Sequence, residues 1–163
     1  MKTRAVIALG ANLGEKEKAI KKAQKQIGKI RGVEAISHSN QYHSKAVTET
    51  GIDEDQPEYV NAVTIIETKL SAKKLLSRLN DIENNFGRIR LARWAPRTLD
   101  LDIITYGHSL IETNSLVIPH PRAFQRAFVL IPWLELDPEA VIPGMGSVAE
   151  IAKDMADQVW VAS

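Results

Sequence analysis

The order of strand-like and helix-like patterns up to Tyr106 limits most strongly what this chain can fold into. Short apolar or alternating segments predict strands over residues 5–9, 33–42, 59–70 and 100–106. Apolar residues that recur every three or four positions predict helices over residues 15–31 and 71–86, each ended by a glycine. The predicted order is therefore strand, helix, strand, strand, helix, strand.

This order is typical of one α+β class, the ferredoxin-like βαββαβ sandwich, in which both helices cover one face of an antiparallel sheet. The other face is then expected to be open. After this core, the sequence predicts an added C-terminal hairpin around Thr113-Asn114, a helix over residues 124–136 and a short helix over residues 148–155. At 163 residues, the chain is expected to form a single domain over residues 1–163.

Two connections in the predicted core are distinctive. The segment 44–57 is polar, acidic and longer than loops usually are in compact domains, so we expect a binding loop or lid there. The segment 10–14, Gly-Ala-Asn-Leu-Gly, lies between a strand and a helix. It lacks both the Gly-Lys-Ser/Thr ending of a P-loop and the glycine spacing of a dinucleotide fold. We interpret it as a tight turn.

The composition excludes several classes of protein. The net charge is +1, so the chain lacks the global basic field that is typical of nucleic-acid binding. There is no cysteine, which excludes disulfide bonds and thiol catalysis and fits a reducing compartment. The amino terminus is too poor in apolar residues for a signal peptide, and no apolar run approaches the roughly 20 residues of a membrane span. We expect a cytoplasmic protein that binds neither nucleic acid nor membranes.

The strand predicted over residues 100–106 carries two carboxylates on one face. Side chains alternate along a strand, so Asp100 and Asp102 point one way while Leu101 and Ile103 point the other. Like charges roughly 6–7 Å apart at Cα repel unless a cation lies between them. Mg²⁺, which uses one or two carboxylates together with substrate phosphates, suits such a pair. The alternative is a solvated strand face whose aspartates pair with arginines.

Arginines and a histidine near this strand suit phosphate oxygens. Guanidinium groups are fork-shaped donors that bind such oxygens well. The arginines that precede the aspartate pair are Arg88, Arg90, Arg93 and Arg97, and Arg122 and Arg126 follow His120. His120 lies between Pro119 and Pro121, which restrict its backbone, and an imidazole fixed in this way is able to donate to a phosphate. A structural role is an equally good interpretation of His120 on its own.

Aromatic and amide side chains suggest a site for a flat heterocycle. Tyr59 and Asn61 share one face of a predicted strand, and Trp94 and Phe128 are further candidates for stacking on a ring. For Phe128 and Tyr59 taken alone, packing in the core or on the sheet is the simpler interpretation.

The chain resembles a known family in its run of arginines and aspartates. Residues 93–104, Arg-Trp-Ala-Pro-Arg-Thr-Leu-Asp-Leu-Asp-Ile-Ile, are similar to the signature of the 6-hydroxymethyl-7,8-dihydropterin pyrophosphokinase family. Residues 8–14, 56–62 and 118–128 resemble other motifs of this family, so the resemblance covers the chain from end to end. The family's fold, a ferredoxin-like core with additions, matches the order of elements predicted above.

The resemblance implies transfer of pyrophosphate from ATP to the hydroxymethyl group of the dihydropterin, with release of AMP. It implies that Asp100 and Asp102 hold two Mg²⁺ ions, and that Arg88 and Arg97 are catalytic because they clamp the phosphates and stabilise the transition state. The residues implied to bind ATP are Asn80, Glu83, Arg88, Trp94, Arg97, His120 and Arg126. Those implied to bind the pterin are Ser44, Val47, Tyr59, Asn61, Trp94, Asp100 and Phe128. The segments 44–57 and 87–98 are implied to close over both substrates.

Two other functions are compatible with parts of the pattern. A metal-dependent phosphodiesterase would use the aspartate pair but needs no heterocycle pocket. An RNA-binding ferredoxin-like module would use the sheet aromatics but needs a basic face. The family resemblance instead predicts a monomer of folate biosynthesis whose partners are ATP and 6-hydroxymethyl-7,8-dihydropterin.

Overall fold

The computed structural model describes residues 2–11, 15–44, 46–48, 51–53, 59–86 and 99–161 of the chain. Its strands are β1 (Thr3–Ala11), β2 (Val33–His38), β3 (Tyr42–Ser44), β4 (Ala46–Thr48), β5 (Gly51–Asp53), β6 (Tyr59–Thr68), β7 (Asp100–Tyr106), β8 (Ile111–Glu112), β9 (Val117–Ile118), β10 (Val141–Ile142), β11 (Gly146–Ser147) and β12 (Val159–Val161). Its helices are α1 (Lys16–Gly28), α2 (Ala72–Phe86), α3 (Ala127–Leu136) and α4 (Val148–Ile151), and 3₁₀ turns lie at Ala123–Gln125 and Ala156–Gln158.

Within these described residues, six strands form one antiparallel sheet around β1 and β6. β1 pairs with β6 on one side and with β7 on the other. The far edge of β6 pairs with β2 and then with β3, and β12 extends the sheet beyond β3. The fold is therefore a mixed α/β fold with an antiparallel sheet. The four strands and two helices expected before residue 106 are present in the predicted order.

The strand predicted over residues 33–42 is broken at Ser39. The Ser39 N–H donates to the Val63 carbonyl oxygen of β6, and the Val63 N–H donates to the Ser39 hydroxyl, both at 2.9 Å. Because a side-chain hydroxyl replaces a backbone acceptor here, the backbone leaves the regular ladder. It resumes at Tyr42, opposite Asn61. The prediction of one continuous strand is therefore wrong in this detail.

α1 and α2 pack on one face of the sheet, as the sequence predicts. The fully buried side chains there include Ile7, Leu9, Ile20, Ile27, Leu75 and Leu79. Each such side chain contributes about 1.5–3 kcal/mol relative to exposure to water. α1 ends at Gly28 rather than at Arg31, and Gly32 takes a φ of +90° between α1 and β2. Glycine adopts this left-handed conformation without steric cost, which suits Gly32 to the turn between α1 and β2.

The opposite face of the sheet is not open, and this prediction is wrong. α3 packs across it, and the core on this side includes Val6, Ala8, Val63, Ile65, Ile104, Val129, Leu130 and Trp133. The strand residues in this group alternate with those that face α1 and α2, so a bare sheet would leave them in water. The C-terminal segment therefore supplies a second helical layer, on the face of the sheet opposite α1 and α2.

The predicted hairpin around Thr113-Asn114 is confirmed. It consists of β8 and β9, and the Thr113 N–H donates to the Leu116 carbonyl oxygen at 2.9 Å. The Ile118–Pro119 peptide that follows is cis. The helix predicted over residues 124–136 is present as a 3₁₀ turn followed by α3.

Several short elements differ from the predictions. α4 has four residues, fewer than the segment 148–155 predicted as helical. The pair β10–β11 and the strand β12 were not predicted, and the pair β4–β5 lies within the segment expected to be a loop. Among the described residues, no helix is long and apolar enough to cross a membrane.

Candidate active site

A pocket of about 170 Å³ lies where the sheet meets the start of α3. It is lined by Ala8, Leu9, Gly10, Ser44, Tyr59, Asn61, Asp100, Asp102, Arg126, Phe128 and Val129. In the sheet register, Gly10 of β1 lies opposite both Asn61 of β6 and Asp100 of β7. The sheet thus brings amide, aromatic and acidic side chains from distant parts of the sequence to one place.

Gly10 allows a close approach inside this pocket. A Cβ atom at this position would lie 3.1 Å from Asn61 Oδ1, which is tighter than ordinary van der Waals contact. The sequence predicts only a tight turn over residues 10–14, whereas Gly10 belongs to β1. A glycine inside a strand often marks the close approach of another group, and that signal is present in the sequence.

Asn61 is fixed by a hydrogen bond at the base of the pocket. Its side chain is 3% exposed, and Nδ2 donates to the Ser44 hydroxyl at 2.7 Å. Ser44 on β3 lies directly opposite Tyr59 in the register. Burial raises the pKa of the Tyr59 phenol above its ordinary value; the negative charge of Asp100 adds to this effect and the positive charge of Arg126 opposes it. Tyr59 is therefore a neutral phenol close to a fixed amide.

Asp100 and Asp102 line the pocket, while Leu101 and Ile103 are buried against α1 and α2. The faces predicted from strand alternation are therefore confirmed. Within the described residues, no group of three or more histidine or acidic side chains is arranged to hold a metal ion. A half-buried carboxylate pair nevertheless fits Mg²⁺, because this ion takes few protein ligands when a bound nucleotide supplies the other oxygens.

His120 is fixed by two hydrogen bonds to the backbone. Its backbone N–H donates to the Ile104 carbonyl oxygen of β7 at 2.9 Å. Its ring Nδ1 accepts from the Arg122 backbone N–H at 3.2 Å. With Nδ1 acting as an acceptor, the proton of the neutral ring lies on Nε2. Burial lowers the pKa of His120 below its ordinary value; Asp102 opposes this shift, and Arg126 and Arg122 reinforce it. The ring is therefore a neutral donor at neutral pH.

Arg126 links the aromatic and polar parts of the pocket. Its guanidinium carbon lies 5.5 Å from the centroid of the Phe128 ring, a distance typical of a cation–π contact. Its charge acts on both Tyr59 and His120. One guanidinium is thus held by an aromatic wall of the pocket and lies within electrostatic reach of the imidazole.

The other predicted site residues do not line this pocket or fall outside the described residues. Asn80 is exposed on α2, and the Glu83 carboxylate on the same helix accepts a hydrogen bond from the Leu101 N–H. Val47 belongs to β4, but its side chain is not among those described. Outside the described residues altogether lie Arg88, Trp94 and Arg97.

The fold and the pocket together define a class of protein. An antiparallel sheet that presents a carboxylate pair, a guanidinium group, a fixed amide and aromatic rings in one pocket suits a small-molecule enzyme that handles a phosphorylated substrate. Residues 6–138 match the family model described as 7,8-dihydro-6-hydroxymethylpterin-pyrophosphokinase (HPPK). The chain belongs to the HPPK family, as the sequence resemblance implies.

Curated relatives are similar over most of the chain. A protein of Haemophilus influenzae, named 2-amino-4-hydroxy-6-hydroxymethyldihydropteridine pyrophosphokinase, is 42% identical over 157 residues, which is 96% of this chain and 96% of the relative. Proteins of the same name from Synechocystis and Bacillus subtilis are 40% and 39% identical, over 87% and 81% of this chain and 70% and 77% of their own lengths.

Solved structures support the fold. The wild-type HPPK-DHPS of Plasmodium falciparum with pterin and p-hydroxybenzoate has a TM-score of 0.72 and 12% sequence identity over 96% of this chain. This chain covers 44% of that structure, so it spans less than half of the two-part protein. At this identity, the likeness shows the fold alone.

Proposed function

We propose that this protein transfers the terminal pyrophosphate of ATP to the hydroxymethyl group of 6-hydroxymethyl-7,8-dihydropterin, with release of AMP, in folate biosynthesis. The family match and the names of the relatives support this function. The structural observation that supports this function most strongly is that one pocket is lined by both ring-binding and charged side chains. A fixed amide and two aromatic rings share that pocket with a carboxylate pair and an arginine.

The aromatic and amide residues suit the pterin. A flat ring placed between Tyr59 and Phe128 would bury both of its faces, and the Asn61 amide would bind its hydrogen-bonding edge. Because Asn61 is already bonded to Ser44, its orientation is set before the ligand arrives, which reduces the entropy lost on binding. Val47, Trp94 and Asp100 complete the set that we assign to the pterin.

The charged residues suit the triphosphate. Asp100 and Asp102 would hold two Mg²⁺ ions, which neutralise charge on the phosphates during the reaction. Arg126 and the His120 Nε2–H would bind phosphate oxygens, with Arg88 and Arg97 stabilising the transition state. Asn80, Glu83 and Trp94 are the remaining residues that we assign to ATP. In this arrangement the pterin hydroxyl attacks the β-phosphorus in line, and AMP leaves.

The two alternative functions explain less of the structure. An RNA-binding module of this type exposes its sheet as a stacking platform, whereas α3 covers the corresponding face here. A phosphodiesterase would use Asp100 and Asp102 but gives no role to the hydrogen-bonded pair Asn61 and Ser44.

Finer features of the architecture are part of the same proposal. The antiparallel order β7, β1, β6, β2, with α1 and α2 on one face, supports a ferredoxin-like core. Shared packing of the C-terminal segment on this sheet supports a single domain over residues 1–163. A monomeric state and a cytoplasmic location stay predictions from the sequence.

The test is AMP release from ATP and Mg²⁺ with and without the dihydropterin. We expect AMP and pterin pyrophosphate to form in equal amounts and only when the pterin is present. Asn61→Ala should weaken this reaction, whereas Asn114→Ala, at an exposed turn, is the matched control. AMP formed without pterin would favour the phosphodiesterase, and ATP left intact under all conditions would contradict the proposal.

A further inference from the structure

Tyr42 and Glu135 join the sheet to α3 beside the pocket. The Tyr42 hydroxyl, on β3, donates to Glu135 Oε1 at 2.6 Å. The neighbouring Asn40 N–H approaches both carboxylate oxygens of Glu135, at 3.0 and 3.2 Å. One carboxylate near the end of α3 therefore binds the strand through a side chain and the preceding segment through its backbone. Hydrogen bonds to an ionised acceptor are stronger than those between neutral groups.

The Tyr42 ring packs against α3 in a cluster that also contacts Phe128, an aromatic residue that lines the pocket. It is 8% exposed and forms an apolar cluster with Ala127 and Val159, against which Phe128 and Ile131 also pack. Residues 127, 131 and 135 are four positions apart, so they share one face of α3. Tyr42 thus contacts that face by its ring near the start of the helix and by its hydroxyl near the end.

Tyr42 also lies next to Asn61, the amide residue that lines the pocket. In the sheet register it lies directly opposite Asn61, and two residues further along β3 is Ser44, which holds the Asn61 amide. Phe128 and Asn61 both line the pocket but belong to different layers, one to α3 and the other to the sheet. Their separation therefore depends on how α3 packs against the sheet, and the Tyr42–Glu135 contact ties α3 to β3, the strand that pairs with β6 at Asn61.

The hydroxyl stays a donor over any useful pH range. Burial raises the pKa of the Tyr42 phenol far above its ordinary value, and the hydrogen bond to Glu135 and the negative charge of Glu135 act in the same direction. The contact is therefore a neutral phenol bonded to a carboxylate.

We infer that Tyr42 and Glu135 are positioning residues that set the separation between Phe128 and Asn61, and so the fit of the pocket to its planar substrate. This inference rests on the proposed function, because it takes that substrate to be the dihydropterin. Neither residue lines the pocket. Their effect on the substrate would pass entirely through the placement of α3.

The experiment measures the Kd and KM for the dihydropterin, the KM for ATP and the thermal midpoint in three variants, Tyr42→Phe, Glu135→Ala and Glu135→Gln. We expect Tyr42→Phe and Glu135→Ala to raise the pterin Kd and KM about three- to tenfold, since each removes a hydrogen bond to an ionised group. The KM for ATP should rise less, because Arg126, which begins α3 and packs on Phe128, is one of several groups that we assign to the phosphates. Glu135→Gln keeps an acceptor oxygen and should recover most of the pterin affinity.

Tyr106→Phe is the matched control. The Tyr106 hydroxyl also donates a short hydrogen bond, to the Leu70 carbonyl oxygen, but its ring packs with the core on the α1 and α2 face. The Tyr106→Phe variant should have a lower thermal midpoint and an unchanged pterin affinity. Tyr42 and Glu135 variants that lose stability like this control yet bind pterin like the wild type would overturn the positioning role alone. Failure of the wild type to bind pterin would overturn the proposed function and this inference with it.

Discussion

The carboxylate of Glu83 accepts a hydrogen bond of 2.7 Å from the backbone N–H of Leu101, the residue between Asp100 and Asp102. β7 lies at one end of the described sheet order and pairs there with β1 alone, so its outer backbone groups need acceptors and donors from elsewhere. Glu83 of α2 accepts a hydrogen bond from the Leu101 N–H, and the backbone N–H of His120 donates to the Ile104 carbonyl oxygen further along β7. The strand that carries the aspartate pair is thus fixed from its outer edge.

Glu83→Ala should loosen β7 at the aspartate pair. Removal of the acceptor leaves the Leu101 N–H without its partner, so we expect its hydrogen exchange to speed up by about tenfold or more. Nucleotide binding that depends on Mg²⁺ should weaken as Asp100 and Asp102 lose their fixed spacing. Amide exchange by NMR and a Mg²⁺ titration of nucleotide binding measure the two effects.

Asp81→Ala is the control for this prediction. Asp81 is exposed on the same helix and forms a long ion pair of 3.8 Å with Arg78, so its loss should leave the Leu101 amide protected. If Glu83→Ala weakens nucleotide binding while Leu101 exchanges as in the wild type, Glu83 acts only on the nucleotide and not through β7.

Gly10→Ala should impair the pterin side of the pocket. The new Cβ would lie 3.1 Å from Asn61 Oδ1, and Asn61 is buried and bonded to Ser44, so it has little room to move. We expect about 1–3 kcal/mol of lost stability, as is usual for overpacking. Pterin affinity should fall with it, while denaturant unfolding and pterin titration separate the two effects.

Gly28→Ala provides the comparison. Its Cβ would lie 3.7 Å from the Ala35 Cβ, an ordinary contact at the end of α1. This variant should bind pterin normally and unfold at the same or higher denaturant concentration, because alanine favours a helix more than glycine does. Equal pterin affinity in both glycine variants would show that the approach to Asn61 is not critical.

The core order could be predicted because each of its elements carries a local signal of its own, either a periodic pattern or, in β1, a short apolar run. The error about the open sheet face has a specific cause in β1. Val6 and Ala8 are apolar, as are Ile7 and Leu9, with which they alternate. Val6 and Ala8 pack with α3, whereas Ile7 and Leu9 pack with α1 and α2. A continuous apolar run of this kind indicates burial on both faces. The pattern of β1 therefore already predicts a layer such as α3.

Periodicity alone could predict the site only where its residues are close in sequence, whereas the family resemblance also indicated Ser44, Arg126 and Phe128, which line the pocket. Strand alternation places Asp100 with Asp102 and Tyr59 with Asn61, and the sheet confirms both faces. Glu135 and Tyr42 are 93 positions apart, and their contact depends on the packing of α3, which periodicity does not show. β12 is only three residues long and carries no periodic signal.

Protonation of His120 should destabilise the metal-free protein in mild acid. Burial lowers its pKa in the folded state below the ordinary value of 6.5, so the unfolded chain takes up the proton first as the pH falls. The resulting stability is present above about pH 6.5 and is lost as the pH falls through the folded pKa.

His120→Gln should therefore flatten the decline in unfolding free energy between pH 7 and pH 5. Urea unfolding at several pH values measures this slope, and His108→Gln, at an exposed turn, controls for the loss of an imidazole. The wild-type slope in His120→Gln would mean that the acid sensitivity arises from other groups, of which His38, whose pKa is also lowered by burial, is the first to test.

Asp102→Ala should abolish turnover while the protein stays folded. Asp102 is half-buried at the pocket and belongs to none of the apolar clusters, so its loss removes no core packing, whereas the loss of a metal ligand should slow AMP formation by at least about a hundredfold. Asp102 also raises the pKa of His120, so its removal leaves that ring neutral, and the defect would not come from a charged imidazole. AMP formation, circular dichroism and a Mg²⁺ titration of nucleotide binding are the measurements, with Asp154→Ala, at an exposed turn, as the control. Turnover at the wild-type rate in Asp102→Ala would remove this residue from the metal site, because a carboxylate that holds the ion cannot be dispensable for a reaction that depends on it.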